Sequence, residues 1–189
     1  MSKKDFQREK SFHAILEAAM DLFSEQGYDC TSIRQIAAKA GISLGLLYNY
    51  FSSKDEVLKA GILKAQKELA PAFEAPERLS PFQLLEHYVR ATFKTLEEHK
   101  RFWRLYYSLR LQSAVFKTLE EEQKTERQKV LAFLTRNLAE AGSMSPSAEA
   151  KLMLATLDGI AYHALMTPDY PLPDVMIRYL LQLKNHLGS

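Results

Sequence analysis

Apolar side chains recur at the spacing of an α-helix along almost the whole of this chain, and nowhere does the alternation of a strand persist. From about Lys10 to Gln26, one stripe gathers Phe12, Ile15, Leu16, Ala19, Leu22 and Phe23, and Gly27 follows as a left-handed C-cap. Ser32-Ile33-Arg34-Gln35 has the capping-box pattern and opens a second helix that buries Ile33, Ile36 and Ala37 and ends at Gly41. Ser43 caps a third, short helix that ends by Phe51. Ser53-Lys54-Asp55-Glu56 repeats the capping box and launches a fourth helix toward Phe73.

Pro71 and Pro76 mark Ala70 to Ser80 as a connector. Ser80-Pro81-Phe82-Gln83 starts a fifth helix reaching about His99, with Pro81 in the first turn where its missing N–H is harmless. A shorter aromatic helix covers Arg101 to Gln112, and a long amphipathic one Ala114 to Ala141. After the Gly142 and Pro146 boundary, two more run from about Ser147 to Met166 and from Asp174 to His186. The pattern predicts an all-α protein of about nine helices. A three-helix helix-turn-helix domain is expected over residues 1–53, and a larger helical effector-binding and dimerisation domain over residues 54–189.

Composition narrows the classes. With 47% hydrophobic and 25% charged residues the chain is globular rather than disordered. A net charge of +2 does not mark a nucleic-acid binder, so any DNA contact must come from local placement. Lys3, Lys4, Arg8 and Lys10 are such a placement, suiting a DNA clamp and a solvated tail alike. The one cysteine, Cys30, rules out an intrachain disulfide and fits a reducing cytoplasm. With no signal-like segment and no run long enough to span a bilayer, a cytoplasmic protein without a membrane partner is expected. His87, His99, His163 and His186 lack metal-ligand spacing, and there is no nucleophile motif or phosphate loop. No cofactor, metal or enzyme chemistry is therefore expected.

A recognition helix must bring its N-terminal end deep into the major groove, which demands small or deliberately chosen side chains there. Ser43-Leu44-Gly45-Leu46 meets that demand. Ser43 caps the helix and leaves backbone N–H groups near a phosphate, Gly45 lets the backbone approach, and Leu44 and Leu46 can touch thymine methyls. Tyr48 and Tyr50 offer hydroxyls to phosphate oxygens, Asn49 can bond a base edge or a phosphate, and Lys54 adds a charged contact. Thr31, Ser32 and Arg34 can grip the DNA backbone on the other side.

The stretch TSIRQIAAKAGISLGLLYNYFSSKDEVL, residues 31–58, closely resembles the signature of the TetR family of transcriptional regulators. The start of helix two, the Ala-Gly-Ile-Ser turn, the Tyr-x-Tyr-Phe ending and the Ser-Lys-Asp-Glu opening of helix four match in order and spacing. The resemblance implies a homodimeric repressor of double-stranded DNA, with DNA-contact positions at Thr31, Arg34, Ser43, Leu44, Gly45, Leu46, Tyr48, Asn49, Tyr50 and Lys54. The position of Leu46 often carries a small or hydroxylic residue in the family, so the apolar contact there is a departure.

For the body, Met153, Leu157, Ile160, Ala161 and Ala164 form one stripe and Met176, Leu180, Leu183 and Leu187 another, an expected homodimer surface. A TetR-like body implies a cavity for an unknown small-molecule effector. Tyr88, Phe93, Trp103, Phe116 and Tyr162 are candidate walls, and Tyr106, Tyr107, Asp158 and His163 candidate polar handles. The alternatives are a DNA-bound adaptor governed by a protein partner and, with nothing to support it, a helical enzyme.

Overall fold

The computed structural model describes residues 3–110 and 120–188. Among them are nine α-helices and no strand, as the periodicity predicts. They are α1 (Lys3–Gln26), α2 (Ile33–Lys39), α3 (Leu44–Tyr48), α4 (Lys54–Leu69), α5 (Pro81–Glu98), α6 (Lys100–Arg110), α7 (Glu120–Glu140), α8 (Pro146–Met166) and α9 (Leu172–Leu187). The expected helix start at Ala114 and the candidate wall Phe116 lie outside the described residues.

Two boundaries differ from expectation for local reasons. α1 begins at Lys3 instead of near Lys10, because the preceding residues hold no glycine or proline and are mostly good helix formers. α4 stops at Leu69, and Ala70–Phe73 tightens to a 3-10 turn, because Pro71 cannot donate the next helical hydrogen bond. The capping box stands as expected at Ser32/Gln35, and the expected helix start at Ser80 also carries one, closed by Gln83. At α4 the box is offset: Ser53 Oγ accepts from the Glu56 N–H at 3.2 Å, while Glu56 Oε2 accepts from the N–H of Ser52 at 2.7 Å.

Compact packing divides the chain into two units at places other than residue 53. The first is Met1–Glu68 with Arg104–Leu119, and the second is Leu69–Trp103 with Glu120–Ser189. The core of the first gathers Ile15, Leu16, Ala19 and Phe23 of α1, Ile36 and Ala37 of α2, Leu47 and Phe51 around α3, and Val57, Leu58 and Ile62 of α4. Leu105 and Leu109 of α6 complete it. α4 comes close to α1 at Gly61, where a Cβ would stand 2.7 Å from the Met20 sulfur.

In the second unit α5 packs against α7, α8 and α9. Leu85, Val89, Phe93, Leu134, Leu138, Met153, Leu157, Leu165 and Leu180 are buried there. Among the described residues no helix is long and apolar enough to cross a membrane.

Candidate nucleic-acid interface

Two glycine-closed turns shape the segment from α1 to α3. At Gly27 the φ of +86° ends α1, with its N–H donating to the Phe23 carbonyl at 3.1 Å. At Gly41 the φ of +68° ends α2: Gly41 N–H donates to Ala38 O at 3.1 Å and Ile42 N–H to Ala37 O at 3.0 Å. That paired arrangement satisfies the last carbonyls of α2 and turns the chain sharply into α3. Ser43 then caps α3, its Oγ accepting from the Leu46 N–H at 3.1 Å.

The result is a five-residue helix whose Leu47 is fully buried while its other side faces outward. Leu46 is 36% and Tyr48 51% exposed, and Ser43, Gly45 and Asn49 are exposed as well. Leu44 is half-buried against the core. A Cβ on Gly45 would meet nothing within 4 Å, so nothing inside the chain requires glycine there. On α2, Arg34 is exposed and has no partner among the described residues. Ser32 is exposed, with its N–H and Oγ both donating to Gln35 Oε1, at 2.7 and 2.8 Å.

Three expected contact residues have internal work instead. Thr31 is only 2% exposed: its Oγ1 donates to Gly27 O at 2.8 Å and accepts from Gln26 Nε2 at 3.1 Å. Its hydroxyl closes the α1–α2 turn and does not look outward. Lys54 donates from Nζ to the Tyr28 carbonyl at 2.7 Å and sits 4.1 Å from the centre of the Tyr28 ring. Tyr50 is half-buried, and its hydroxyl donates to the Arg8 carbonyl at 3.2 Å. The Tyr28 hydroxyl in turn donates to Asp55. Burial first, then that bond and the Asp55 charge, push the Tyr28 phenol well above its usual pKa.

The expected effector residues scatter over the two units. Tyr106 and Tyr107, rings edge to face at 6.0 Å, belong to the first unit, where Tyr106 packs on the core. Tyr88 and Asp158 come together in the second. Burial and then the Asp158 charge push the Tyr88 phenol up to about 12, and its ring lies 5.5 Å from Phe73 and 6.0 Å from Phe133. Phe93 is fully enclosed, and Trp103 is half-buried with its ring 5.2 Å from Phe102. Tyr162 and His163 are exposed, edge to face at 5.7 Å, with His163 stacked on Tyr170 at 6.3 Å.

Sequence reasoning passed over Asn137. It is fully buried on α7, its Nδ2 donates to Phe133 O at 2.8 Å, and its Oδ1 has no partner among the described residues. His87 Nε2 on α5 is likewise buried without a partner. A lone polar residue in a helical stripe gives no sequence signal of which atom will be orphaned.

The expected dimer stripes face their own chain. Met153, Leu157, Ala161 and Leu180 are buried, and Ile160, Ala164, Met176, Leu183 and Leu187 are half-buried. A second apolar face lies on the opposite side of the same helices. It carries Leu152 (67% exposed), Tyr162 and Met166 on α8, and Ile177 and Leu181 on α9.

A short capped helix reached through a glycine turn and facing outward, with an exposed arginine on the helix before it, defines a helix-turn-helix DNA-binding regulator. Residues 15–60 match the model of bacterial regulatory proteins of the tetR family, and residues 81–187 match that of the BetI-type transcriptional repressor C-terminal region. The chain belongs to the TetR family. It is 26% identical over 185 residues to the regulator PksA of Bacillus subtilis, covering 95% of this chain and 90% of that protein. The match to HbdR of Aromatoleum, 54% over 50 residues, covers 26% of this chain and 22% of that protein. Among solved structures, a transcriptional regulator of Rhodococcus aligns with a TM-score of 0.78 at 23% identity, over 94% of each chain. The fatty acid degradation regulator FadR of Bacillus halodurans aligns with a TM-score of 0.75 at 20% identity, over 91% of this chain and 93% of that one.

Proposed function

We propose that this chain is a homodimeric cytoplasmic repressor that holds a palindromic operator and releases it when a small apolar or aromatic molecule occupies its second unit. The observation that carries the DNA end is the exposure of Ser43, Gly45, Leu46, Tyr48 and Asn49 on α3 and its flanks, together with that of Arg34 on α2. These side chains have no core to serve, and Gly45 forgoes an alanine that the chain has room for. Leu46 meets thymine methyls, Asn49 a base edge or phosphate, and Arg34, Ser32 and Tyr48 the phosphates. Leu44 backs the helix from the core side, and Lys54 shifts from phosphate contact to bracing the start of α4.

The second apolar face of α8 and α9 supports the dimer. Leu152, Tyr162, Met166, Ile177 and Leu181 are large apolar side chains left exposed on these two helices, and apolar surface of this kind is often an interface when it gathers into a patch. A second copy covering it would build a four-helix bundle and set two reader helices at a multiple of the DNA turn. For the effector, Tyr88 with Asp158 and the orphaned Asn137 Oδ1 are the polar handles, and Phe73 and Phe133 the apolar neighbours. The effector must bind the released conformation more tightly than the DNA-bound one, and a shift of α4 would alter the separation of the readers.

Mobility shift of the full-length chain on duplexes from the region beside its own gene tests this reading. Retardation that Tyr48→Ala abolishes and that a stabilising apolar compound reverses is the expected result. Equal retardation by wild type and Tyr48→Ala would overturn the DNA end. Persistence of the complex with every compound that raises the melting temperature would overturn the effector end.

A further inference from the structure

The first turns of α1 hold an arginine whose carbonyl meets Tyr50, just after α3, and whose side chain has no partner among the described residues. Positions 8, 12, 15, 19 and 23 share one face of α1 at helical spacing. Phe12, Ile15, Ala19 and Phe23 on that face pack into the core of the first unit. At Arg8 the stripe changes from apolar to cationic. Arg8 is exposed, and its guanidinium has no ion pair or hydrogen bond among the described residues.

The backbone at that point is nonetheless tied down. Tyr50 donates its hydroxyl to the Arg8 carbonyl at 3.2 Å, its ring lies 6.4 Å from Phe12, and Phe12 stacks on Phe51 at 5.4 Å. Tyr50 and Phe51 follow α3 within a few residues, so the start of α1 and the end of the reader form one surface. Arg8 thus continues a core stripe, has an exposed side chain without a partner among the described residues, and has its own carbonyl fastened to the tyrosine that follows α3.

We propose that Arg8 is a DNA-phosphate contact and that Tyr50 is the residue that positions it, acting through the Arg8 carbonyl instead of touching phosphate itself. The inference rests on the reading of α3 as the DNA-facing helix. A guanidinium meets a phosphate through paired, charge-assisted hydrogen bonds. Each phosphate neutralised also releases counterions, which steepens the fall of log K with log salt by about 0.9. A tyrosine that only fixes the arginine carries no such salt signature of its own once the arginine is gone.

The test uses the full-length chain and a fluorescein-labelled duplex recovered by selection from a random pool, titrated across a series of KCl concentrations. Arg8→Ala should weaken binding roughly tenfold and lower the salt slope by about 0.9 for each Arg8 engaged. Arg8→Lys should restore the slope. Tyr50→Phe keeps the ring packing and should cost about threefold in the wild-type background but nothing measurable beside Arg8→Ala, the non-additivity expected of one unit. Unchanged slope and affinity in Arg8→Ala, with Tyr48→Ala abolishing binding, would overturn the inference and leave the reading of α3 intact. So would a Tyr50→Phe loss that persists in the Arg8→Ala background, which would make Tyr50 merely structural. Wild-type binding by Tyr48→Ala would overturn the reading and the inference together. Arg8 is exposed, so its variants should melt as the wild type does, and circular dichroism checks that they do.

Discussion

The hydroxyl of Tyr28 donates to a carboxylate oxygen of Asp55, 27 residues further along the chain, while Lys54 next door donates to the carbonyl of the same tyrosine. One residue of the α1–α2 turn thereby holds both the cation and the carboxylate that open α4. The turn before α2 and the helix after α3 are fastened at a single point.

That fastening predicts a modest stability loss without collapse. Tyr28→Phe keeps the ring beneath Lys54 and removes one hydrogen bond to a charged acceptor, a change of about 1.5 kcal/mol. Urea unfolding followed by circular dichroism should show the lower midpoint with an unchanged m-value. An unchanged midpoint would mean that the bond contributes nothing in solution.

Alkaline titration gives a second prediction with a definite sign. The folded pKa of Tyr88 is raised, to about 12, first by burial and then by Asp158. A raised folded pKa contributes stability that is full below the unfolded phenol value of about 10 and is lost as pH climbs through the folded value. The urea midpoint should therefore fall between about pH 10 and pH 12, and Tyr88→Phe should shrink that fall. Tyr28 is raised as well, so Tyr28→Phe should shrink it further.

Gly45→Ala should separate stability from DNA affinity. A Cβ there meets nothing within 4 Å and the backbone is helical, so alanine should stabilise the chain by about 0.5–1 kcal/mol. The added methyl stands where the backbone is proposed to approach DNA, so operator affinity should drop. A rise in melting temperature with undiminished affinity would place the close approach elsewhere.

The outer face of α8 and α9 carries the dimer prediction. Ile177 and Leu181 are about half exposed, at 50% and 51%, so Leu181→Glu should leave the melting of the single chain nearly unchanged. Sedimentation should show the dimer dissociation constant raised at least about tenfold, as for loss of a well-packed interface residue. Undisturbed association would send the interface to another surface.

Much of the architecture was legible because local chemistry alone sets it. The box at Ser32/Gln35, the helix start at Ser80, the Ser43 cap and the glycine stops at Gly27 and Gly41 are short-range signals, and each stands where its residues put it. What was hidden depends on which way a helix rolls. Thr31 and Ser32 are neighbours with similar side chains, yet the reversal at Gly27 turns Thr31 inward and leaves Ser32 exposed. On α8, Met153 and Leu152 are adjacent apolar residues of two stripes, and periodicity cannot say which stripe meets its own chain. The Tyr50–Arg8 bond joins residues 42 apart and leaves no mark in either local pattern.

The most direct measurement is selection of duplex DNA from a random pool by the full-length wild type and by Leu46→Ala. The account predicts a two-fold symmetric consensus for the wild type, with half-sites spaced by a multiple of the helical turn. It predicts a consensus altered at symmetry-related base pairs for Leu46→Ala. No enrichment, or the same consensus from both proteins together with undiminished binding by Tyr48→Ala, would contradict the claim that α3 reads the operator.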